Sequence, residues 1–167
     1  MKKHLLALTI VFFATCTFAQ TGFGFDVGYA TSKSAMIDFK YFLNENAFSL
    51  GFTYQSSNAL GKKAKERGPN FIIGNGDFYY SVDVGYTRIL SEKFSVEGEI
   101  SIGQRSFYTN FNDNANGDGG YHVIDRKKSL VGVGGILSYS LSDIFGFFAG
   151  YNSLREAAAG LQVKFVK

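Results

Sequence analysis

Large apolar residues recur at every second position in eight segments of the chain. In residues 78–87 the even positions are Phe, Tyr, Val, Val and Tyr, whereas the odd positions from Ser81 onwards are Ser, Asp, Gly and Thr. A period of two is typical of a β-strand with one apolar face and one polar face. The pattern therefore predicts an all-β protein. The predicted strands are residues 22–30, 35–42, 47–55, 78–87, 94–105, 129–141, 145–151 and 159–165.

The connections between these segments fall into two classes. Short turns are predicted at residues 43–46, 90–93 and 142–144, whereas long polar loops cover residues 56–76 and 107–127. Strands of about ten residues, joined by short turns at one end and longer loops at the other, are typical of barrels that cross a bacterial outer membrane. We therefore predict an eight-stranded antiparallel up-and-down transmembrane β-barrel with both chain ends on the periplasmic side.

The two faces of the predicted strands suit lipid on the outside and a narrow lumen on the inside. Tyr and Phe gather near the strand ends of the apolar face, as they do where a membrane meets water. The lumen of an eight-stranded barrel is just wide enough for side chains to fill it, and buried charges are costly unless they pair. We expect an aromatic girdle and a charge-paired lumen. The girdle residues are Tyr29, Tyr41, Tyr54, Tyr86, Phe94 and Tyr151, and the lumen charges are Asp26, Asp38, Lys40, Asp83, Glu97, Glu99, Arg105 and Lys164.

The N-terminal segment has the composition of a cleavable export signal. A short basic stretch precedes an apolar run at residues 5–13, and small residues at positions 17 and 19 favour cleavage after Ala19. We therefore expect a signal peptide at residues 1–19 and one barrel domain at residues 20–167. The single cysteine, Cys16, leaves a lipoprotein as the alternative, although the residues before it match a lipobox poorly.

Composition and motifs argue against several classes of function. Lys2 and Lys3 leave with the signal, so 17 bases fall to 15 against 14 acids, and a nearly neutral chain is not expected to bind nucleic acid. The Gly-rich residues 132–135 lie within an alternating segment, where strand packing explains them better than a nucleotide-binding loop. Residues 112–118 begin like a calcium loop, but Val123 stands where the bidentate Glu is needed. We expect neither a cofactor nor a metal.

Over residues 22–165 the chain resembles the small eight-stranded outer-membrane barrels of the OmpA and OmpX type. Phe165 is similar to the terminal aromatic residue that such proteins present to the barrel assembly machinery, although Val166 and Lys167 follow it. The resemblance implies a porin-like barrel in the outer membrane of a Gram-negative cell, with a role in membrane integrity or surface contact. A soluble lipocalin-like barrel is the alternative, but the Gly-rich and Ser-rich polar face does not favour exposure to water.

Some eight-stranded barrels modify lipid A, so catalysis is a further alternative. His122 is the one histidine of the mature chain, and Asp125 and Ser129 follow it in or beside a predicted mobile loop. A nucleophile and its base must be held within hydrogen-bond reach, and this spacing does not match that of the lipid A deacylases. We therefore do not expect an enzyme.

The specific function is expected in the loops at residues 56–76 and 107–127, because loops on a rigid scaffold carry recognition. Their residues suit outer-membrane lipids, lipopolysaccharide or a surface or host ligand. We expect a monomer with little or no pore activity; a small porin and a purely structural barrel are the alternatives. The basic candidates are Lys62, Lys63, Lys65 and Arg67, and the aromatic candidates are Phe71, Phe107, Tyr108, Phe111 and Tyr121.

Overall fold

The computed structural model describes residues 20–66, 68, 71–112 and 119–167. The predicted signal peptide, Arg67 and most of the calcium-like segment lie outside the described residues. Within the described part no helix is long and apolar enough to cross a membrane. The strands are β1 (Gln20–Ala30), β2 (Ser34–Asn44), β3 (Asn46–Gln55), β4 (Lys62–Ala64), β5 (Ile72–Ile89), β6 (Phe94–Phe111), β7 (Tyr121–Ser140), β8 (Phe145–Asn152) and β9 (Glu156–Val166).

Eight of these strands close into an antiparallel ring. Their order is β7-β6-β5-β3-β2-β1-β9-β8, and β8 pairs back with β7. Each strand of the ring therefore has hydrogen-bonded neighbours on both sides. The predicted eight-stranded up-and-down barrel is confirmed.

The side chains of the ring are sorted in the opposite sense to those of a soluble protein. On β2, residues alternate strictly between exposed and buried, so that Phe39 is 61% exposed whereas its neighbour Lys40 is 2% exposed. A lipocalin-like barrel would place the apolar face inside. The structure contradicts that alternative, because the large apolar side chains lie on the outside of the ring.

A small apolar cluster packs inside the barrel beside the polar residues. Phe148 on β8 packs there with Met36 and Ile136, both buried. A methyl group added at Gly28 or Gly160 would lie 2.5–2.6 Å from the ring of Phe148, so the two glycines make room for this side chain. Glycine on β1 and β9 is thus required by packing.

The predicted loops 56–76 and 107–127 are wrong in part, because the strands around them are longer than predicted. β5 begins at Ile72, β6 continues to Phe111 and β7 begins at Tyr121. Together with β4, which pairs in parallel with residues 121–123 of β7, these extensions form a four-stranded sheet beyond the ring. We call this sheet the outgrowth: β4 with residues 72–79, 105–111 and 121–128. Its residues lack a clean period of two, because segments of loop cover part of one face.

Candidate functional site

Two regions carry the polar chemistry of the molecule, the lumen of the ring and the outgrowth. The first lumen cluster is centred on Lys40 of β2. Its Nζ lies 2.7 Å from Asp26 Oδ2 on β1 and 2.7 Å from Glu97 Oε2 on β6. Ser49 and Thr87 donate hydrogen bonds to the same Glu97 carboxylate at 2.5 and 3.0 Å. One ammonium thus joins three strands, and each of its two acids has further partners.

The second lumen cluster is centred on Arg155, in the turn between β8 and β9. Its Nη2 lies 2.6 Å from Glu99 Oε1, and its Nη1 lies 3.7 Å from Asp83 Oδ2. Asn152 donates to Glu99 at 2.8 Å, and Thr53 donates to Asp83 at 2.6 Å. Arg155 is 1% exposed. The two clusters together place paired charges across the lumen from several strands.

Seven of the eight predicted lumen charges are buried in the structure. Arg105 differs: it lies at the loop-end rim with its side chain 33% exposed, 3.4 Å from Asp77 and over the ring of Tyr79. Lys164 lies near the short turns and donates to Ser140 at 2.6 Å. The prediction missed Arg155, which supplies the cation of the second cluster, because a turn residue has no alternating pattern to mark its face.

Among the acids of the lumen, Asp38 has the fewest contacts that stabilise its charge. It lies opposite Asp26 in the pairing of β1 with β2, is 2% exposed, and its Oδ2 has no hydrogen-bond partner among the described residues. Gly51 on β3 lies against it, and a methyl group at Gly51 would overlap Asp38 Oδ1. The described lumen therefore holds five buried acids against three buried cations, Lys40, Arg155 and Lys164.

All six predicted girdle residues are exposed. Tyr29, Tyr54 and Tyr151 lie near the strand ends on the loop side, and Tyr41, Tyr86 and Phe94 lie near the ends on the short-turn side. Between the two levels the outer surface is aliphatic and aromatic, with Val131 71% exposed. The exposed aromatics thus form two bands with an apolar belt between them.

Partly buried hydrogen bonds hold the outgrowth against the segment that precedes β4. Asn58 and Leu60 donate backbone hydrogen bonds to Tyr108 Oη at 3.1 Å and Asn110 Oδ1 at 3.0 Å. Asn110 Nδ2 donates back to the Asn58 carbonyl at 3.0 Å. These contacts hold residues 56–60 across β6 and guide the chain into β4. The segment before β4 is therefore anchored by named side chains.

Residue His122 lies in strand β7, so its prediction within a mobile loop is wrong. Its Nδ1 lies 2.9 Å from the Leu60 carbonyl, and its ring makes an edge contact with Tyr108 at 6.1 Å between centroids. The carboxylate of Asp125 accepts a hydrogen bond from Thr109 Oγ1 at 2.5 Å. The structure thus gives His122 an anchoring contact with the loop.

Four basic side chains surround a cleft where β4 ends beside β7. The cleft has a volume of about 300 Å³ and is lined by Lys63, Lys65, Arg126 and Lys127, with Asp125 and two aliphatic residues. Two of the predicted basic candidates, Lys63 and Lys65, are therefore brought together with two bases of β7 that the sequence had not singled out. We call this the basic cleft.

The aromatic candidates of the predicted loops differ in exposure and packing. Phe71 is 82% exposed, whereas Tyr108 and Phe111 are buried and pack within the outgrowth. Phe111 stacks on Tyr121 with ring centroids 5.2 Å apart, and Phe107 lies under the guanidinium of Arg126. Most of these rings therefore stabilise the outgrowth.

Among the described residues, no group of three or more His, Cys, Asp and Glu is arranged to hold a metal ion. No protein-family model matches the chain. No curated protein sequence matches it either.

Solved structures of outer-membrane proteins are similar to this chain in fold. The attachment invasion locus protein Ail of Yersinia pestis is 15% identical, with a TM-score of 0.53 over 89% of this chain and 95% of Ail. A second structure of Ail, in complex with the heparin analogue sucrose octasulfate, is 17% identical, with a TM-score of 0.51 over 89% and 96%. The N-terminal β-barrel domain of Pseudomonas aeruginosa OprF is 16% identical, with a TM-score of 0.43 over 89% and 97%. The predicted resemblance to small eight-stranded outer-membrane barrels is confirmed at the level of fold.

Proposed function

We propose that residues 20–167 form an integral outer-membrane barrel that contacts lipids or surface ligands at its loop end. The observation that carries this proposal is the inverted sorting of side chains: Phe39 and Val131 are largely exposed, whereas Lys40 and Arg155 are buried. Soluble monomers rarely expose continuous apolar patches of more than a few hundred Å². Lipid is the environment that stabilises such a surface, and the two aromatic bands suit its two interfaces.

Export and orientation complete the proposal. The N-terminal segment serves as a signal peptide cleaved after Ala19, and the barrel assembly machinery inserts the mature chain into the outer membrane of a Gram-negative cell. The short turns then face the periplasm and the outgrowth faces the outside. The barrel acts as a monomer, because every strand of the ring already has both neighbours.

We further propose that the barrel does not act as a wide channel. The clusters around Lys40 and Arg155 join strands on different sides of the lumen with side chains that are almost fully buried. Eight strands enclose room for side chains alone, whereas channels with a wide aqueous lumen need sixteen or more. Opening the lumen would require breaking ion pairs that are shielded from water.

The outgrowth suits binding better than catalysis. Its basic cleft suits anions, and the similar protein Ail has been crystallised with a polysulfated saccharide analogue. An enzyme centred on His122 is less well supported, because among the described residues its ring makes a hydrogen bond to a backbone carbonyl and none to a serine or a carboxylate. We therefore propose that the outgrowth binds anionic groups of a surface ligand or lipid through its basic cleft.

Fractionation of cell envelopes tests the membrane proposal. The chain should stay with the membrane through washes with carbonate and urea, and the unboiled protein should migrate differently from the boiled protein on a gel. Purified barrel in planar bilayers should give no large and uniform conductance steps. Release by the washes would overturn the membrane assignment, and porin-sized steps would overturn the closed lumen.

A further inference from the structure

The basic cleft combines a fixed shape with an excess of positive charge. Its lining holds Lys63, Lys65, Arg126 and Lys127 against one acid, Asp125. Among the ion pairs of the described residues, none involves any of these four cations. The cleft therefore concentrates a net charge of +3, whereas residues 20–167 together carry 15 bases against 14 acids, a net charge of +1. Such a site favours an anion with more than one negative charge.

A bulge in β7 shapes one wall of the cleft. Phe107 pairs with Arg126 and Tyr108 pairs with Ile124, so Asp125 is an extra residue in the strand. Bulges change the direction in which neighbouring side chains point. Thr109 Oγ1 donates a hydrogen bond to the Asp125 carboxylate at 2.5 Å and so holds Asp125 toward β6. Arg126 and Lys127 directly follow this bulged residue.

Arg126 is held in a position that suits an oxyanion. Its guanidinium carbon lies 4.4 Å from the centroid of the Phe107 ring, so the planar group stacks on an aromatic face. Stacking restricts the side chain, while the N–H groups at the edge of the plane stay available. A guanidinium binds phosphate or sulfate through two parallel hydrogen bonds, which a single ammonium does not provide.

The other wall of the cleft is fixed by the path of the preceding loop. β4 pairs in parallel with residues 121–123 of β7, and the anchors on Tyr108, Asn110 and His122 hold the segment that leads into it. Lys63 therefore lies on β4, and Lys65 directly after it, where partly buried hydrogen bonds set the position of the chain. Ordering these side chains on binding then costs less free energy than it would in a flexible loop.

The height of the cleft along β7 indicates which anion it meets. Lys127, Ser129 and Val131 alternate on the exposed face of β7, and Val131 belongs to the apolar belt. Four residues of strand correspond to about 13 Å, which places Lys127 just beyond the belt, at the level of lipid headgroups. An anionic headgroup in the outer leaflet would lie beside the cleft.

We propose that the basic cleft binds the phosphate groups of a saccharide headgroup that belongs to an outer-leaflet lipid. This inference rests on the proposed membrane location of the barrel. A free polysulfated or phosphorylated saccharide presents the same oxyanion chemistry, so the test must separate a lipid source from a free one.

The full barrel in phosphatidylcholine nanodiscs provides the test. The discs contain either bisphosphorylated lipid A or its dephosphorylated form, and native mass spectrometry measures lipid A bound to the released barrel. Sucrose octasulfate added to discs without lipid A is the free probe. The variant Arg126→Gln/Lys127→Gln removes two cations of the cleft. The matched control, Lys33→Gln/Lys93→Gln, removes two exposed cations from turns outside it.

We expect the wild-type barrel to bind bisphosphorylated lipid A and not the dephosphorylated form. The cleft variant should lose affinity by about tenfold or more, because it loses two charge-assisted contacts, and the control should stay within about twofold. Equal losses in both variants, unchanged binding in the cleft variant, or binding of sucrose octasulfate alone would each overturn the proposal. Heat-modifiable mobility of every variant reports assembly, so a barrel that fails to insert is recognised as failure of the proposed function.

Discussion

Arg155 makes a two-pronged contact with Glu99 across the lumen, with Nη2 lying 2.6 Å from Oε1 and 2.7 Å from Oε2. Arg155 belongs to a three-residue turn at the loop end, whereas Glu99 stands in the middle of β6. The contact therefore ties the connection between β8 and β9 to β6, which lies two strands from β8 in the ring. Asn152 donates to the same carboxylate and so fixes its orientation.

We predict that Arg155→Met lowers the free energy of unfolding by about 3–5 kcal/mol, because it leaves Glu99 and Asp83 buried without their cation. Urea unfolding of the barrel in phosphatidylcholine vesicles, followed by gel mobility, measures the change. The double variant Arg155→Met/Glu99→Met should recover part of the loss, since it also removes the stranded acid. A single variant as stable as the wild type would mean that the pair does not support the barrel.

The lumen was predictable in its faces but not in its pairs. A period of two placed Asp26, Lys40 and Glu97 inside, because a shift of one residue along the strand would move every side chain to the other face. It could not show that Lys40 on β2 reaches Glu97 on β6, since that contact depends on how the ring closes. Arg155 was missed because turn residues carry no periodicity.

The outgrowth was less predictable still. Residues 106–111 read Ser-Phe-Tyr-Thr-Asn-Phe, with aromatic and polar side chains on both faces, so no alternation indicated that β6 continues. Both faces are apolar in places because the segment around Asn58 covers Tyr108 and Asn110. The parallel pairing of β4 with β7 joins residues far apart in the chain, and short strands in loops give no signal of their partners. The basic cleft could therefore be found only in three dimensions.

Asp38 should behave differently from the paired acids. We predict that Asp38→Asn leaves the free energy of unfolding unchanged or raises it, because the substitution removes a buried charge that faces Asp26 and lacks a hydrogen bond at Oδ2. The matched variant Asp26→Asn should be destabilising, since it takes an anion away from Lys40. The same unfolding assay compares the two, and a large loss of stability in Asp38→Asn would show that its carboxylate has a supporting role.

Glycines inside and outside the barrel should respond in opposite ways to the same added methyl group. In Gly28→Ala the new Cβ would lie 2.5 Å from the Phe148 ring and 2.8 Å from the Ala159 carbonyl oxygen, so we expect a loss of about 1–3 kcal/mol. In Gly98→Ala the methyl group meets nothing within 4 Å, and stability should not fall. Thermal shifts of the folded gel band measure both variants. Similar shifts in the two would contradict the packing of Phe148 over Gly28.

The apolar belt on the outside of the barrel predicts that a charged side chain there destabilises the fold by an amount that depends on its depth in the membrane. Val133 on β7 is 62% exposed between the two aromatic bands, so Val133→Lys should lower the free energy of unfolding in vesicles by about 2–4 kcal/mol. Ser129→Lys, on the same face but nearer the rim, should cost about 0–1 kcal/mol. A surface that faces water would tolerate both substitutions equally, and equal stability of the two variants in vesicles would therefore argue that this face does not contact lipid.

His122 allows the anchoring role to be separated from a catalytic one. We predict that His122→Ala releases residues 56–66 from β6 and β7, because it removes the contact of Nδ1 with the Leu60 carbonyl and the edge contact with Tyr108. Trypsin should then cleave faster at Lys62 to Lys65, while the barrel keeps its heat-modifiable mobility. His122→Gln keeps a polar group at this position and should cleave more slowly than His122→Ala. Mass spectra of lipid A from cells with either variant should match those from the wild type; a lost modification would instead favour an enzyme centred on His122, and unchanged proteolysis would mean that the anchors on Tyr108 and Asn110 suffice to hold the loop.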